Sequence, residues 1–502
     1  MSSRTNKVIK GTVASALQYG VYIILQALLA PLVLKVAGQE TLGAYAILMQ
    51  IIGYGILLDL GFSVALSRYL SQTYGFHDQG KRFSEVFTIG RVFLLVTNLV
   101  FALFIFIVAL RIESVIVANK SIIVQARFGF YLLAIWMIAK TPLVIYNDAL
   151  FATQNMAVAS LNTIIGNVSR VILSLGLVYF GMGLVGLVVA NISSEYLTFV
   201  LQKRCFRKKY PNYLFGWQVS DRQLFKEMFS FGVKYFGVNL AVVLFLGSDN
   251  IVVGNLYGAY AASVYYTTKI PAFLLFQFIF RISDNAAPAM NELFAQCNYK
   301  ALDSAYLKLL RYSLLLALPL SVGIIGFNRG VISAWVGPVQ FAGDLMSLAL
   351  ALFVTTQVIN HLNAMVTLAV GNMRHWSMVS IITSTVSLGL SYWFGKIFGM
   401  QWVMVAIALM DLPNAVFLFY RCLEGLKISV RRLWHEACEP ALLASLPLCM
   451  LVVYLKIMDP MATVYSVISY VALFITLWGV CVFTMGLNIS EKELLKKNVK
   501  YT

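Results

Sequence analysis

Ten ionisable side chains lie within stretches of the sequence that are otherwise apolar. They are Asp59, Arg91, Lys140, Asp148, Arg170, Glu195, Lys234, Asp249, Lys269 and Asp411. A charged side chain at the centre of a membrane-spanning helix costs about 2.5 to 3.5 kcal/mol on insertion scales, so such residues face a bundle interior or a water-filled cavity. The sequence therefore predicts a polar interior within a membrane protein.

Helical spacing places several of these charges on polar faces, because residues four positions apart stack on one side of a helix. The predicted polar stripes are Gln18, Tyr22 and Gln26; Asn162, Gly166, Arg170 and Ser174; Asn191, Glu195, Thr198 and Gln202; Tyr265 and Lys269; and Gln357 and His361. Stripes on helices from both halves of the chain imply a shared polar interior, which is what a solute pathway requires.

Two structural explanations compete with a solute pathway. The charges can form neutral pairs inside the bundle, for example Arg170 with Glu195 or Lys269 with Asp411. Polar side chains can also hold helices together, since Ser, Thr, Asn and Gln form hydrogen bonds across membrane interfaces. His361 fits a hydrogen-bonded core histidine as well as a proton carrier. The sequence leaves these alternatives open.

The elements that position these residues are fourteen apolar segments of about 20 residues or more, the length a helix needs to cross a bilayer. The approximate segments are 11–34, 42–66, 84–110, 126–150, 157–180, 183–202, 229–254, 259–280, 309–330, 342–370, 375–396, 399–420, 440–457 and 463–486. With 60% hydrophobic and 12% charged residues, the chain is predicted to be an all-α integral membrane protein. No hydrophilic stretch is long enough for a soluble domain, so function is expected within the membrane.

Basic segments divide the chain into predicted lobes. Residues 1–202 form an N-lobe with helices one to six, 203–228 a cytoplasmic basic linker, and 229–422 a C-lobe with helices seven to twelve. A second cytoplasmic basic linker covers 423–439, and 440–502 contain helices thirteen and fourteen and a cytosolic tail. If both termini are cytoplasmic, Lys and Arg fall mainly in inside segments, as the positive-inside rule requires.

The net charge of +17 lies mostly in loops that flank the membrane, such as "KRCFRKK" at 203–209. Anionic membrane lipids explain this charge better than nucleic acid does. The six cysteines contain no C-x-x-C pair, so neither a disulfide frame, a metal site nor a cofactor site is indicated. No catalytic constellation is present, and the chain is predicted not to be an enzyme.

Two stretches carry a family resemblance. "LGAYAILMQIIGYGILLDLGFSVALSRYLSQ" (42–72) and "SDNIVVGNLYGAYAASVYYTTKI" (248–270) resemble the polysaccharide-transporter branch, the Wzx-like flippases, of the multidrug/oligosaccharidyl-lipid/polysaccharide (MOP) exporter superfamily. The resemblance implies a fold like that of the MATE transporters, with two six-helix lobes around a central cavity. An acid closes helix seven in that family, and Asp249 matches it here. Helices thirteen and fourteen resemble the extended members, including lipid II flippases.

The resemblance also implies a function: movement of polyprenyl-pyrophosphate-linked oligosaccharides across the bacterial cytoplasmic membrane by alternating access, for O-antigen, capsule or exopolysaccharide biosynthesis. A polysaccharide polymerase and a chain-length regulator are candidate partners. Candidate contacts to the head group are Arg91, Lys140, Arg170, Lys234 and Lys269. Candidates for proton coupling or for setting cavity charge are Asp59, Glu195, Asp249, Asp411 and His361. Candidate sugar-lining residues are Gln18, Tyr22, Gln26, Asn162, Asn191, Tyr265 and Gln357.

Three other functions compete with this one. A drug or cation antiporter of the same superfamily typically places an acid in an N-lobe helix such as the first, where this chain has Gln18 and Gln26 but no carboxylate. A lipid II-type flippase remains an alternative because of the two extra helices. A membrane polysaccharide polymerase or glycosyltransferase usually needs a large outer loop or a cytosolic domain, and the sequence offers neither.

Overall fold

The computed structural model describes residues 3–58, 60–73, 81–211, 222–370, 373–458, 464–488 and 491–493. Every regular element in these ranges is helical, which confirms the predicted all-α class. Asp59 lies outside the described residues, and so does the side chain of Lys234 within its helix.

Eighteen α-helices occur in the described ranges. They are α1 (Ser3–Ala37), α2 (Gln39–Gly53), α3 (Gly55–Leu58), α4 (Phe62–Thr73), α5 (Lys81–Leu110), α6 (Ile112–Val115), α7 (Lys120–Ala152), α8 (Met156–Tyr179), α9 (Gly183–Lys209), α10 (Arg222–Leu246), α11 (Asp249–Ala295), α12 (Tyr299–Val336), α13 (Asp344–Val370), α14 (Met373–Phe398), α15 (Gln401–Leu426), α16 (Val430–Leu433), α17 (Glu439–Met458) and α18 (Val464–Cys481). A short 3-10 helix covers Pro338–Gln340, and π-helical turns cover Trp434–Cys438 and Val482–Gly486.

Twelve stretches of the described residues are long and apolar enough to cross a membrane. All fourteen predicted segments fall on helices, and the two counts differ at two places. The stretch Leu240–Arg281 counts once although it holds parts of the seventh and eighth segments, which meet at the kink of Gly258 (φ 85°). The second segment is divided among α2, α3 and α4, because Leu60 and Gly61 have left-handed backbone angles that end a helical run.

The chain forms two compact units, residues 1–263 and 264–502. In the first unit, α7 packs against α5 and α9, and α8 packs against α1 and α9. Buried aromatic rings join three of these helices: Phe87 and Phe206 have ring centres 5.3 and 5.9 Å from that of Tyr146. Such pairs contribute about 0.5 to 1.5 kcal/mol each beyond area burial, so the cluster fixes α5, α7 and α9 together.

In the second unit, α12 packs against α13 and α17, and α15 packs against α13 and α14. The C-terminal helices lie on α12. Phe327 and Phe474 have ring centres 5.2 Å apart, and the indole N–H of Trp478 donates to the carbonyl oxygen of Leu315 at 3.0 Å. The boundary between the units falls within α11, later in the chain than the basic segment 203–228, because α10 packs against α4 of the first unit. The lobe boundaries drawn from the sequence stay a prediction.

The residues after α18 return to α12 through a buried ion pair. Glu491 accepts hydrogen bonds from Arg311, whose side chain is 3% exposed, and from the Tyr312 hydroxyl at 2.6 Å. It also accepts from the backbone N–H of Asn488 at 2.9 Å, which caps the short helical turn at 491–493. A carboxylate held by three donors ties the end of the described chain to α12.

In the first unit, α2 and the start of α11 approach each other at Gly43. A methyl group at this position would lie 1.7 Å from the carbonyl oxygen of Ala259, closer than any side chain can approach backbone. Gly43 is thus required by the contact and not by its own backbone angles. Gly53, at the end of the same helix, has open space where a methyl group would project.

We expect Gly43→Ala to lower the midpoint of thermal unfolding and Gly53→Ala to leave it unchanged or raise it. Overpacking costs about 1 to 3 kcal/mol, whereas alanine in an unobstructed helix gains about 0.5 to 1 kcal/mol over glycine. Thermal unfolding of the two purified variants in detergent, followed by tryptophan fluorescence, measures the difference. Equal midpoints would show that the α2–α11 contact yields without cost.

Candidate functional site

The polar interior of the first unit centres on Arg170, which α8 carries in its second half. Its side chain is half-buried, and its Nε and Nη2 atoms are buried and make no hydrogen bond within the described part of the chain. The guanidinium carbon lies 5.9 Å from the ring centre of Tyr22 on α1, a cation–π distance. Two buried N–H groups without acceptors are costly, which makes Arg170 a candidate anion-binding group.

The first helix contributes the predicted stripe beside Arg170. The amide of Gln26 donates to the hydroxyl of Tyr22 at 2.8 Å, as their spacing of four residues allows. Gln18, one turn before Tyr22, is half-buried. The structure thus places a guanidinium, a phenol and an amide together from α1 and α8.

Glu195 brings α9 and α7 into the same region. Its carboxylate accepts from the indole N–H of Trp136 at 2.7 Å and from the amide of Asn191, one turn earlier, at 3.3 Å. The buried hydroxyl of Tyr45 on α2 lies within electrostatic range of both Arg170 and Glu195. Five helices of the first unit therefore meet around these polar groups.

Arg170 and Glu195 do not form a direct ion pair among the described residues. Glu195 is engaged by neutral donors from α7 and α9, while two nitrogen atoms of Arg170 remain without acceptors. If these charges formed a neutral structural pair, the Glu195 carboxylate would accept hydrogen bonds from Arg170. The geometry favours a guanidinium available to a ligand.

The rest of the α8 stripe has a structural role. The amide of Asn162 donates to the sulfur of Cys205 on α9 at 3.7 Å. A methyl group at Gly166 would lie 1.9 Å from the hydroxyl oxygen of Thr198, so the two helices touch at this point. Asn162 therefore holds α8 against α9, as the helix-association explanation expected.

Three further candidate cations lie in the first unit at different places. Arg91 is half-buried in α5 and acts electrostatically on Lys203 of α9. Lys140 is half-buried in α7, next to Thr141, which accepts from the amide of Asn98 at 3.0 Å. Lys234 lies in α10 with its side chain outside the described residues, so the structure does not bear on its role.

Asp249 lies at a break between α10 and α11, where Gly247 and Ser248 are not helical. The amide of Gln50 on α2 donates to the Asp249 carboxylate at 2.5 Å and accepts from the backbone N–H of Ile251 at 3.2 Å. Asp249 also accepts from the N–H of Asn250 at 2.9 Å. A carboxylate at a helix N-terminus satisfies backbone donors and the helix dipole, so Asp249 stabilises the broken helix.

The C-terminal end of this segment, up to Ala259, is also held by hydrogen bonds. The backbone N–H of Val117 donates to the carbonyl oxygen of Gly254 at 3.5 Å, and the N–H of Ala259 donates to the carbonyl oxygen of Val117 at 2.8 Å. The amide of Asn255 donates to the carbonyl oxygen of Ser114 at 2.7 Å. The stretch between Asp249 and Ala259 is therefore fastened to α2 at one end and to the α6 region at the other.

In the second unit, Lys269 and Tyr265 lie together as their spacing predicted. Both side chains are buried, and the Lys269 ammonium lies 5.5 Å from the ring centre of Tyr265 and 4.9 Å from that of Phe273. The Tyr265 hydroxyl is directed at the sulfur of Met404 at 3.5 Å. Aromatic faces thus surround the ammonium group of Lys269.

Asp411 is fully buried in α15 and is bound by neutral side chains of α13. The amides of Gln357 and Asn360 each donate to its Oδ1 at 3.0 Å, and the Thr356 hydroxyl contacts its Oδ2. Asp411 therefore has amide and hydroxyl partners in place of the ion pair with Lys269 that the sequence had suggested. Gln357 therefore serves the carboxyl group instead of lining an open surface.

His361 is paired with a residue that the sequence had not singled out. Its Nε2 lies 2.8 Å from a carboxylate oxygen of Asp284, and its ring stacks on Phe280 at 3.9 Å. Arg281 donates to the other oxygen of Asp284 at 3.2 Å. Asp284 lies beyond the predicted end of the eighth segment, and its spacing of four from Phe280 is the signal that places both on one face of α11.

A lateral groove of about 500 Å³ opens between α12, α13 and α15. Its lining is almost entirely apolar and includes the exposed side chains of Leu348, Leu352 and Leu409. The hydroxyl oxygens of Ser321 and Thr355 at the groove lie 2.7 Å apart, and both lie within hydrogen-bonding distance of the carbonyl oxygen of Ala351. The groove therefore presents a hydrocarbon surface to its surroundings.

Comparisons with known proteins agree with this architecture. A family model described as "Polysaccharide biosynthesis protein" matches residues 36–338, more than half of the chain. A search of curated proteins found no significant sequence match.

Solved structures share the fold at low sequence identity. The lipid II flippase MurJ in an inward closed conformation is 14% identical, with a TM-score of 0.73 over 94% of this chain and 98% of that one. An inward-facing multidrug resistance MATE family transporter of the MOP superfamily is 16% identical, with a TM-score of 0.68 over 82% of this chain and 94% of that one. A MOP superfamily transporter from Pyrococcus furiosus is 15% identical, with a TM-score of 0.60 over 84% and 96%.

The family match covers the helices that carry Arg170, Glu195, Asp249 and Lys269, and the structural matches extend over most of the chain. The resemblance drawn from the sequence is confirmed at the level of family and fold. This chain belongs to the polysaccharide biosynthesis protein family and has the fold of the MOP-superfamily transporters.

Proposed function

We propose that this protein is a flippase that moves polyprenyl-pyrophosphate-linked oligosaccharide repeat units across the bacterial cytoplasmic membrane by alternating access. The product would enter O-antigen, capsule or exopolysaccharide biosynthesis. The observation that carries the proposal is the Arg170 guanidinium, which has buried N–H groups without acceptors beside Tyr22 and Gln26.

A pyrophosphate fits the vacant donors of Arg170. The guanidinium offers parallel N–H groups that match two oxygen atoms of a phosphate, and such charge-assisted bonds are about twice as strong as neutral ones. Glu195 is directed at Trp136 and Asn191, so it leaves the cation available. The guanidinium would replace the hydration that the pyrophosphate loses on leaving water.

The sugar chain would contact neutral polar groups near this cation. Tyr22 and Gln26 already form one hydrogen-bonded pair, and amide and phenol groups can both donate to and accept from sugar hydroxyls. Gln18 on the same stripe and Asn191 beside Glu195 complete this set. In the second unit, Tyr265 and Lys269 are proposed as further contacts to sugar and head group.

The remaining candidates take other roles in the proposal. Arg91, Lys140 and Lys234 are proposed to attract the anionic head group, and Glu195, Asp59 and Asp249 to set the charge of the interior. Asn162 and Gln357 would act by positioning α8 and Asp411. His361, held by Asp284, is proposed to respond to protonation.

The prenyl tail needs no polar contact and would stay in hydrocarbon during transport. The apolar groove between α12, α13 and α15 and the exposed leucines around it provide a surface compatible with such a chain. Transport of this kind moves the head group and leaves the tail in the lipid. We place the protein in the inner membrane with both termini cytoplasmic, where its basic segments would contact anionic lipids.

The rival functions differ in the charge of the solute. A drug or cation antiporter would need an acidic pocket, whereas Arg170, at the centre of the polar interior of the first unit, has two buried nitrogen atoms without hydrogen-bond acceptors among the described residues. A lipid II-type flippase carries the same pyrophosphate, so the family match to polysaccharide biosynthesis favours the oligosaccharide repeat unit over lipid II. A polymerase and a chain-length regulator would receive the product on the outer face. The proposal assigns transport to this chain and the sugar chemistry to these partners.

Transport by the purified protein in proteoliposomes tests the proposal. The assay follows a fluorescent polyprenyl-pyrophosphate oligosaccharide as it becomes accessible to a membrane-impermeant quencher, with a neutral prenyl glycoside, lipid II and an organic cation as comparisons. We expect the pyrophosphate-linked oligosaccharide to move and the neutral glycoside to remain. Transport of the organic cation alone would overturn the proposal in favour of an antiporter.

A further inference from the structure

The carboxyl group of Asp411 and its partner Thr356 make more hydrogen-bond contacts than an ionised carboxylate and one hydroxyl can supply with hydrogens. Its Oδ1 accepts two amide N–H groups, from Gln357 and Asn360, and its Oδ2 contacts the Thr356 hydroxyl. That hydroxyl oxygen also lies 2.9 Å from the carbonyl oxygen of Phe353, one turn earlier on α13. A threonine hydroxyl has a single hydrogen and cannot donate to both oxygen atoms at full strength.

A proton on the Asp411 carboxyl group supplies the missing hydrogen. Thr356 then donates to Phe353, and the acid O–H of Asp411 donates to the oxygen of Thr356. The carbonyl oxygen of the acid still accepts both amide groups. Each contact in the cluster then has one hydrogen, which an ionised carboxylate does not provide.

The surrounding charges are consistent with a neutral acid. Helices α12, α13 and α14 pack against α15, and α11 reaches α15 through the contact of Tyr265 with Met404. The side chains that hydrogen-bond Asp411 are the neutral Thr356, Gln357, Asn360 and Asn414. An ionised carboxylate buried without a cation loses several kcal/mol of hydration energy.

The charged side chains on these helices are engaged elsewhere or exposed. His361 is bound to Asp284, and the ion pairs Arg311–Glu491, Arg329–Asp344 and Arg421–Glu424 engage other side chains. Lys300, Lys308 and Lys396 are exposed, and the half-buried Asp303 is acted on by Arg432. The side chains at 374 and 375 on α14 lie outside the described residues. On α11, the ammonium group of the buried Lys269 lies over the rings of Tyr265 and Phe273. Asp411 forms no ion pair with any of these cations among the described residues.

The cluster can also accept the ionised state through one small change. If the proton leaves, the Thr356 hydroxyl can turn its hydrogen from Phe353 to Asp411, and the carboxylate then has three donors. The Oδ1 atom of Asn360 is buried without a hydrogen-bond partner among the described residues, so the cluster holds a vacant acceptor next to the acid. A buried acid with a rotating hydroxyl and a vacant acceptor has the parts of a reversible proton site.

We propose that Asp411 carries a proton in this structure and that it binds and releases one proton in each transport cycle of the second unit. In the binding step the proton joins Oδ2 of the carboxylate, and in the release step it passes to water while Thr356 turns to donate to the carboxylate. The statement on the transport cycle rests on the proposed function, whereas the protonated state of Asp411 does not.

Infrared spectroscopy of the purified protein tests the protonated state directly. We expect a carboxylic-acid C=O band at neutral pH that disappears in Asp411→Asn and persists in Asp344→Asn, a matched control with an exposed carboxylate on the adjacent helix α13. Asparagine resembles the neutral acid, so Asp411→Asn should unfold at nearly the wild-type temperature. Identical bands in all three proteins would overturn the proposal.

Thr356 variants test the rotating hydroxyl. Valine at position 356 removes the donor that would stabilise the ionised form, so the acid band should persist to higher pH than in wild type. Serine keeps the hydroxyl and should restore the wild-type titration. An unchanged titration in Thr356→Val would overturn the role of the hydroxyl.

Transport under an imposed proton gradient tests the cycle. Wild-type and Asp344→Asn proteins should respond to the gradient, and Asp411→Asn should transport at a rate independent of it. A gradient response in Asp411→Asn overturns the coupling role. Loss of the acid band in Asp411→Asn, together with no transport of lipid-linked sugar by wild type, supports the protonated state while overturning the proposed function.

Discussion

Replacing Arg170 with alanine is expected to reduce translocation of the pyrophosphate-linked lipid by about 10- to 100-fold in proteoliposomes. Two nitrogen atoms of this guanidinium are buried without an acceptor among the described residues, and hydrogen bonds to charged groups contribute about 1.5 to 3 kcal/mol. Each 1.4 kcal/mol corresponds to a factor of ten in affinity. The effect should appear as weaker binding of the labelled substrate, measured by fluorescence anisotropy, as well as slower transport.

Two variants make this result specific. Arg170→Lys keeps the charge but loses the paired donors, so it should fall between wild type and Arg170→Ala. Arg329→Ala removes an arginine whose ion pair with Asp344 is exposed on both sides, and it should transport normally. Normal binding and transport by Arg170→Ala, with expression and unfolding temperature unchanged, would falsify the head-group role of Arg170.

Breaking the ion pair between Arg311 and Glu491 should give the largest loss of stability among the changes considered. Arg311→Met leaves Glu491 without its cation, and Glu491→Gln leaves the Arg311 guanidinium buried without its anion. Each single change should lower the free energy of unfolding by about 3 kcal/mol, the lower end for a broken buried pair. The double variant should recover much of this loss, because no unpaired charge remains. Denaturant unfolding of all four proteins measures the coupling; additive single losses would show that the pair is not coupled.

The same pair predicts a pH dependence. Burial raises the pKa of Glu491, but the hydrogen bonds from Tyr312 and the N–H of Asn488, together with the charge of Arg311, outweigh burial and lower the pKa below its ordinary value. The stabilisation is therefore present above the ordinary pKa of a glutamate, about 4.3, and is lost as the pH falls through the lowered folded-state value. Glu491→Gln should show a smaller fall of the unfolding temperature on acidification than wild type.

The sequence predicted the helices well because their apolar length is a property of local composition. It also predicted pairs within a helix, such as Tyr22 with Gln26 and Tyr265 with Lys269, since a spacing of four residues fixes their proximity. The expected fourteen segments all lie on helices. Interruptions were missed where the residues remain apolar, as at Leu60, because hydropathy does not report a left-handed backbone angle.

Partners between distant helices could not be predicted. Gln50 binds Asp249 across 199 residues, and Trp136 binds Glu195 across 59, and neither separation carries a periodic signal. Asp284 was missed because it lies past the predicted end of its apolar segment, although its side chain reaches His361. Which buried charges have neutral partners and which have vacant donors depends on such long-range packing.

The fastened stretch between the break at Ser248 and the kink at Gly258 restricts how this gene can change. Each residue of an α-helix advances the chain by about 100° of rotation, so one inserted or deleted residue would turn Asp249 away from Gln50 or Gly254 away from Val117. Substitutions among its apolar side chains leave both attachments in place, whereas a side chain at Gly258 would lie 2.8 Å from the carbonyl oxygen of Val117. Natural variation in this stretch should therefore alter side chains while keeping its length fixed.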